Sequence, residues 1–258
     1  MKKQLIAFLF LPALFCSCTH YYYVPNTQNV PLFRGKNEYR VSGSLAEGEE
    51  SSCKEIQAAY SVTDHIGIMA NFMSAKGGNM SSNTDWGKGN YLDAAIGYFK
   101  PVKEFSVFEI YGGIGGSNQR HQYSSAYHMN ATTSSTSGGF SDLSFTKIFV
   151  QPSFGFTFNA FDIAASTRIC VLTFKSVVNQ INGNVDESNT LNNISGGSHL
   201  FLEPAITIRG GWKYVKLQLQ ASTASYFNNP NLHFEAYHLS IGLHIAIAKR
   251  YKRILPYK

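Results

Sequence analysis

Ten strand-length runs in this chain alternate apolar and polar residues, and the connections between them alternate as strictly as the residues do. The runs cover 36–47, 54–62, 65–75, 89–100, 105–117, 143–158, 161–176, 199–212, 215–226 and 233–248. Tight turns at Thr63-Asp64, Pro101 to Glu104, Asn159-Ala160 and Lys213-Tyr214 join every second pair. Longer polar stretches at 48–53, 76–88, 118–142, 177–198 and 227–232 join the rest. A transmembrane β-barrel has this order because one rim carries short turns and the other long loops. A soluble sandwich has no reason to keep it. Several runs also match or exceed the ~9–11 residues that a tilted strand needs to cross a bilayer.

Parity within the runs supports the same reading. In the last run Tyr237, Leu239, Ile241, Leu243, Ile245 and Ile247 share one face, and His238, Ser240, Gly242 and His244 share the other. Val215, Leu217 and Leu219 oppose Lys216, Gln218 and Gln220 in the run before it. This is period-two patterning. A lipocalin-like soluble barrel would turn its apolar face inward. Here the polar face is dominated by Gly, Ser, Ala and Gln rather than by surface Lys and Glu, and the apolar face ends in aromatics, as lipid-facing belts do. Only 15% of the 258 residues are charged, and Gly (22), Tyr (15) and Phe (19) are abundant. That composition suits strands, and beyond the first 18 residues no apolar run is long enough for a spanning helix. The expected fold is an all-β, antiparallel up-and-down transmembrane barrel of about ten strands over 36–248.

The N-terminus carries an export signal over 1–17. Met1-Lys2-Lys3 is a basic start, Leu5 to Phe15 is an apolar stretch, and Ser17 stands before Cys18. A small residue before a Cys at this place resembles a bacterial lipobox, although Phe15 departs from its usual aliphatic. The resemblance implies acylation at Cys18, with no other cofactor. Residues 18–35 carry two prolines and no alternation, and read as an extended tether. Residues 249–258 carry five bases, including Lys249, Arg250, Lys252 and Arg253, and no acid. They read as a basic periplasmic tail meeting anionic headgroups or a periplasmic protein. Ten strands being even, both barrel ends return to one side, and a tethered N-terminus would make that side periplasmic, with the long loops outside.

Tyr21 to Asn26, Asn29 to Phe33, and Ala59-Tyr60-Ser61-Val62-Thr63-Asp64-His65-Ile66-Gly67-Ile68 resemble lipidated outer-membrane barrel proteins of the Bacteroidota. The resemblance covers the N-terminal quarter and implies an outer-membrane address. It supplies no catalytic residues.

The polar face holds Glu38, Arg40, Glu55, Asp93, Glu109, Lys147, Arg168, Glu203 and Arg209, which should meet in a narrow lumen. An isolated buried charge costs several kcal/mol, so a paired network that plugs the barrel is expected, with Glu203 and Glu109 serving the arginines. A gated polar path is the other reading of the same residues. Catalytic patterns are weak. His238-x-Ser240 is similar to the pair of outer-membrane lipid A deacylases but faces the lumen, and Asp85, His121, His128, Asp142, Asp186 and His199 lack a recognisable protease spacing. His121 and His128 have no acid or Cys at ligand spacing, so no metal is expected. Gly112-Gly113-Ile114-Gly115-Gly116 lacks the Lys of a phosphate loop and reads as packing glycine. Whether Cys53, placed in the first outer loop, pairs with Cys170 is left open. Net charge is +6, yet an exported chain has no nucleic acid to meet. The expected function is a non-enzymatic structural, scaffolding or accessory subunit that touches outer-membrane lipid and a protein of the outer membrane or periplasm. A narrow channel for small polar solutes is the alternative, and a lipid-active enzyme or protease a third.

Overall fold

The computed structural model describes residues 20–78, 85–123, 138–182, 185–227 and 232–248. Its strands are β1 (Tyr39–Glu47), β2 (Ser51–Ser61), β3 (Ile66–Gly78), β4 (Trp86–Pro101), β5 (Ser106–Tyr123), β6 (Gly138–Thr157), β7 (Phe161–Asn182), β8 (Ser198–Gly211), β9 (Val215–Thr223), the two-residue β10 (Ser225–Tyr226) and β11 (Tyr237–Ile247). One helix, α1 (Val185–Ile194), follows β7. Each long strand pairs antiparallel with the next, β9 pairs with β11, and β11 pairs with β1 from Tyr39↔Ile247 to Glu47↔Leu239. The ring is closed, so no long strand is left with an open edge.

Alternation places the side chains. Outward positions such as Leu45, Ile56, Leu92, Ile96, Ile114, Ile148, Ile206, Leu239, Ile241 and Leu243 are exposed, while their strand neighbours are buried or, where they are glycines, half-buried. Such a continuous apolar belt cannot face water; it needs hydrocarbon against it. At the rim of tight turns the belt ends in Tyr39 stacked on Tyr60, Phe105 against Phe158, His65 stacked on Tyr98, and the exposed Trp212 and Tyr214. Rings at that height suit the boundary between acyl chains and headgroups. No helix among the described residues is long and apolar enough to span a membrane; the strands do it.

The wall is uneven in height. β5, β6 and β7 run 18, 20 and 22 residues, against nine for β1 and β9. At ~3.4 Å per residue the tall strands outreach a bilayer core, and the excess stands at the long-loop rim. Two expectations are corrected here. Of the stretches read as loop, 118–123, 138–142 and 177–182 are strand, and α1 lies within 177–198, burying Leu191 and Ile194. Cys53 belongs to β2 rather than to a loop, and both Cys53 and Cys170 are buried free thiols. A bulge shifts the β6–β7 register between Ser144 and Phe145, where Ser144 opposes Ser176 and Phe145 opposes Phe174. The extra residue exchanges the two faces of β7 above it, so Val177 and Ile181 turn toward the core.

Two strand glycines explain the Gly-rich run. A Cβ on Gly113 would fall 2.4 Å from the Phe149 ring, and one on Gly115 2.4 Å from the Tyr91 hydroxyl. They make room for rings in the lumen.

Candidate functional site: the filled lumen

Residues 20–33 do not hang beside the barrel as a tether. They run through its interior, and Tyr22, Tyr23, Asn26, Thr27, Gln28, Asn29, Val30, Leu32 and Phe33 are all buried there. Beyond one parallel bridge between Tyr23 and Phe234 the segment has no strand partner, and its N–H and C=O groups stay unpaired unless side chains supply the bonds. The polar lumen supplies them. Gln220 accepts from the Gln28 N–H at 2.7 Å and donates to the Gln28 carbonyl at 2.8 Å, so one side-chain amide stands in for a neighbouring strand. Both oxygens of Glu55 take the Thr27 N–H, at 3.0 and 3.1 Å, and Gln57 donates to the Thr27 carbonyl at 2.7 Å. Gln151 donates to the Asn29 carbonyl at 2.7 Å, Arg209 to that of Val30 at 2.8 Å, and Arg40 to that of Pro31 at 3.0 Å. Pro25 and Pro31 bring no donor that would need a partner.

The charged side chains expected in the lumen fall into two levels along this segment. At mid-height Lys147 and Arg168 each stand 3.5 Å from Glu203, and the Tyr23 hydroxyl donates to Glu203 while accepting from Lys147 at 2.7 Å. Arg168 also donates to Asn26 at 2.7 Å and to Gln151 at 2.9 Å. Asp93 takes bonds from Asn71 at 2.5 Å and from Asn26 at 3.2 Å, and Glu55 lies across from His238, 3.9 Å away. Toward the tight turns Arg40 pairs with Glu38 at 2.5 Å, and Arg209 donates to Gln218 at 2.7 Å. Glu109, expected to serve an arginine across the barrel, accepts the Phe33 N–H at 2.9 Å and lies 3.4 Å from the Ser153 hydroxyl. The network is thus built around the N-terminal segment rather than closing directly across an empty bore.

Sequence reading placed Lys216 on the polar face without counting it among the lumen charges and passed over Asp162, its buried partner at 2.7 Å near the tight turns. Their inward parity, beside outward Phe161 and Val215, was the available signal. It also missed the long-loop rim. There His20 Nε2 lies 2.6 Å from Asp85 and its ring meets that of His121 edge-on, while Tyr21 donates to Glu49 at 2.9 Å. Tyr22 donates its hydroxyl to Glu187 of α1 at 2.5 Å and its N–H to the His233 carbonyl at 2.9 Å. Glu235 donates its N–H to the Tyr23 carbonyl at 2.9 Å and closes the β1–β2 turn with its carboxylate, taking the Ser51 hydroxyl at 2.7 Å and the Glu49 N–H. A Cβ on Gly48 would sit 2.3 Å from that carboxyl carbon, so a larger residue there would push the Glu235 side chain aside. Burial pushes Glu235 up to about 7, against the pull of the Ser51 and Glu49 donors, and nearby Glu49 adds to the rise.

The other candidates scatter. His238 and Ser240 are buried toward the lumen, with Glu55 the acid beside His238. Asp142 pairs with Arg120 at 2.9 Å on the tall strands, and His199 sits at the start of β8. Asp186 opens α1. Among the described residues no group of three His, Cys, Asp or Glu is placed to hold a metal. Cys18, His128, Lys249, Arg250, Lys252 and Arg253 lie outside the described residues.

A closed ten-stranded antiparallel barrel with an apolar exterior and an occupied polar interior defines the class: a membrane β-barrel with its own N-terminal segment in the lumen. Among solved structures the chain is similar to the translocator domain of the autotransporter NalP from Neisseria meningitidis, with a TM-score of 0.45 and 8% identity over 81% of this chain and 86% of that one. It is also similar to the outer membrane protease OmpT from Escherichia coli, with a TM-score of 0.42 and 11% identity over 83% and 94%. The KdgM porin gives 0.38 and 8% over 81% and 99%. These likenesses concern barrel architecture and carry nothing about activity. No family model matches the chain, and no curated protein matches it.

Proposed function

We propose that this chain is a non-conducting outer-membrane barrel, lipidated at Cys18, that serves a structural, scaffolding or accessory role in an outer-membrane assembly. The observation that supports it is the bonded course of residues 20–33 through the lumen. The wall's glutamine, arginine and carboxylate side chains are committed to that segment rather than arranged as rings around a bore. A pore for polar solutes needs water where Asn26 to Asn29 lie. An enzyme of this class needs its acid and histidine groups open to substrate, and His238, Ser240 and Glu55 are enclosed. The reading makes outer-membrane lipid one partner, through the exposed belt, and a protein of the outer membrane or periplasm another.

Planar-bilayer recording tests it. The full chain should insert without a stable conductance step, and a variant lacking residues 20–33 should conduct if its wall still closes. Reproducible steps from the full chain would move the reading to the channel.

A further inference from the structure

The direction of the N-terminal segment carries a consequence for where the protein's N-terminus lies. His20 and Tyr21 sit at the long-loop rim, against Asp85 after the β3–β4 connection, His121 near the end of β5, and Glu49 of the β1–β2 turn. Tyr22 meets α1 and the connection before β11, again at that rim. The far end of the segment lies at the tight-turn rim. Phe33 reaches Glu109 near the start of β5, Arg34 donates to the Lys103 carbonyl at 3.3 Å, and the Lys36 N–H donates to Asp64 at 2.9 Å. Residues 20–36 therefore traverse the barrel from the long-loop rim to the turn rim before β1 climbs back. The chain beginning at His20 and the chain ending β11 lie at opposite ends of the barrel, whereas the even strand number had placed both termini on one side.

We infer that the polypeptide upstream of His20 emerges at the long-loop rim, so an acyl group on Cys18 inserts into the membrane leaflet on the long-loop side. Cys18 is two residues from His20, and two residues span at most about 7 Å. A bilayer core is roughly 30 Å thick. An anchor at residue 18 cannot reach the turn-side leaflet while residues 20–33 hold their bonds. With the long loops outside, that leaflet is the outer one, and the lipid marks a surface-facing anchor rather than a periplasmic one. The N-terminus must then pass through the barrel, or the barrel close around it, during assembly.

This inference rests on the outer-membrane reading, and its test separates the two. A short epitope is placed between Thr19 and His20 of the full chain in its native membrane, and the same epitope is placed in separate chains within 124–137 and within the 102–105 turn. Intact and permeabilised cells are then probed with antibody. The expected result is that the N-terminal epitope behaves like the 124–137 epitope, accessible on intact cells, while the turn epitope needs permeabilisation. If the N-terminal epitope behaves like the turn epitope, the threading inference is overturned. If both rims require permeabilisation, the outer-membrane reading itself fails. Where insertion blocks folding, seen as loss of heat-modifiable migration, Thr19→Lys labelled with a membrane-impermeant amine reagent and read by peptide mass spectrometry gives the same distinction.

Discussion

The wall and the segment inside it are held by opposite means. In the wall, backbone pairs with backbone, and side chains divide by parity between hydrocarbon and lumen. In the segment, Tyr22 and Tyr23 pair by backbone with the connection before β11. From Thr27 onward, however, backbone pairs with the side chains of the wall, and the segment's own side chains become part of the lumen network. The wall can therefore be specified by a crude pattern, since any aliphatic serves at an outward site. The segment depends on particular partners: Gln220 for Gln28, Glu55 for Thr27, Glu109 for Phe33. Substitutions should be felt differently in the two regions.

The largest effect is expected at Arg168. Arg168→Leu leaves Glu203 with Lys147 alone of its two cationic neighbours and removes the donors to Asn26 and Gln151. Stripping one member from a buried charge group costs about 3–5 kcal/mol. On gels the variant should unfold at a lower temperature than the parent. An unchanged transition would show that Arg168 reaches water, and the distinction between filled lumen and wall would weaken.

Ile241→Arg probes the wall alone. Ile241 is exposed near the middle of β11, and an arginine on a lipid face near the midplane costs roughly 2–4 kcal/mol. The loss should be measurable by reversible unfolding in lipid vesicles while the protection of residues 20–33 in the folded fraction is unchanged. Equal damage to both would mean that the two regions are one cooperative unit.

Gln220→Leu is the converse. It removes the bonds to both backbone groups of Gln28, together with that to Thr207, and leaves a shorter apolar side chain. Unpaired buried backbone groups cost about 1–3 kcal/mol, so amide exchange around Gln28 should quicken while barrel migration on gels is kept.

The smallest effect concerns pH. The ordinary carboxyl value for Glu235 is 4.5, and burial raises it to about 7 in the folded chain. Between those values the folded chain holds a proton that the unfolded chain has released. Stability is therefore fully present below about 4.5, falls as pH rises through the window, and levels off above 7. A change on the order of 1–2 kcal/mol is expected, after discounting for solvent at the rim. Proteolysis of the β1–β2 turn should be faster at pH 8 than at pH 5, and Glu235→Gln should flatten the difference.

The same contrast explains what could be read from sequence. Strand number, turn order, inward parity and the apolar belt were legible because one face of each strand meets hydrocarbon. Where the strands rise beyond the belt that contrast ends, and Asn118 to Tyr123 and Gly138 to Asp142 look like loop although they pair from Tyr123↔Gly139 onward. Helix α1 was missed as well, though Asp186 and Glu187 in its first turn, with Leu191 and Ile194 three apart, were a weak signal. The lumen charges were located by parity, and Glu203 does stand beside Arg168 as expected. The partners in the N-terminal segment were not located, because nothing periodic marks Asn26 to Asn29 as the groups they would meet. The resemblance at Tyr21 to Phe33 touched the right residues without saying that they lie inside.

Amide hydrogen exchange on the folded full chain tests the central claim most directly. Peptides covering residues 20–33 should exchange as slowly as those from β4 and β5, because the N–H groups of Tyr22, Thr27, Gln28 and Phe33 are bonded inside the barrel. Exchange of those peptides at the rate of an unfolded chain, with the strands still protected, would place the segment outside the lumen and contradict the account.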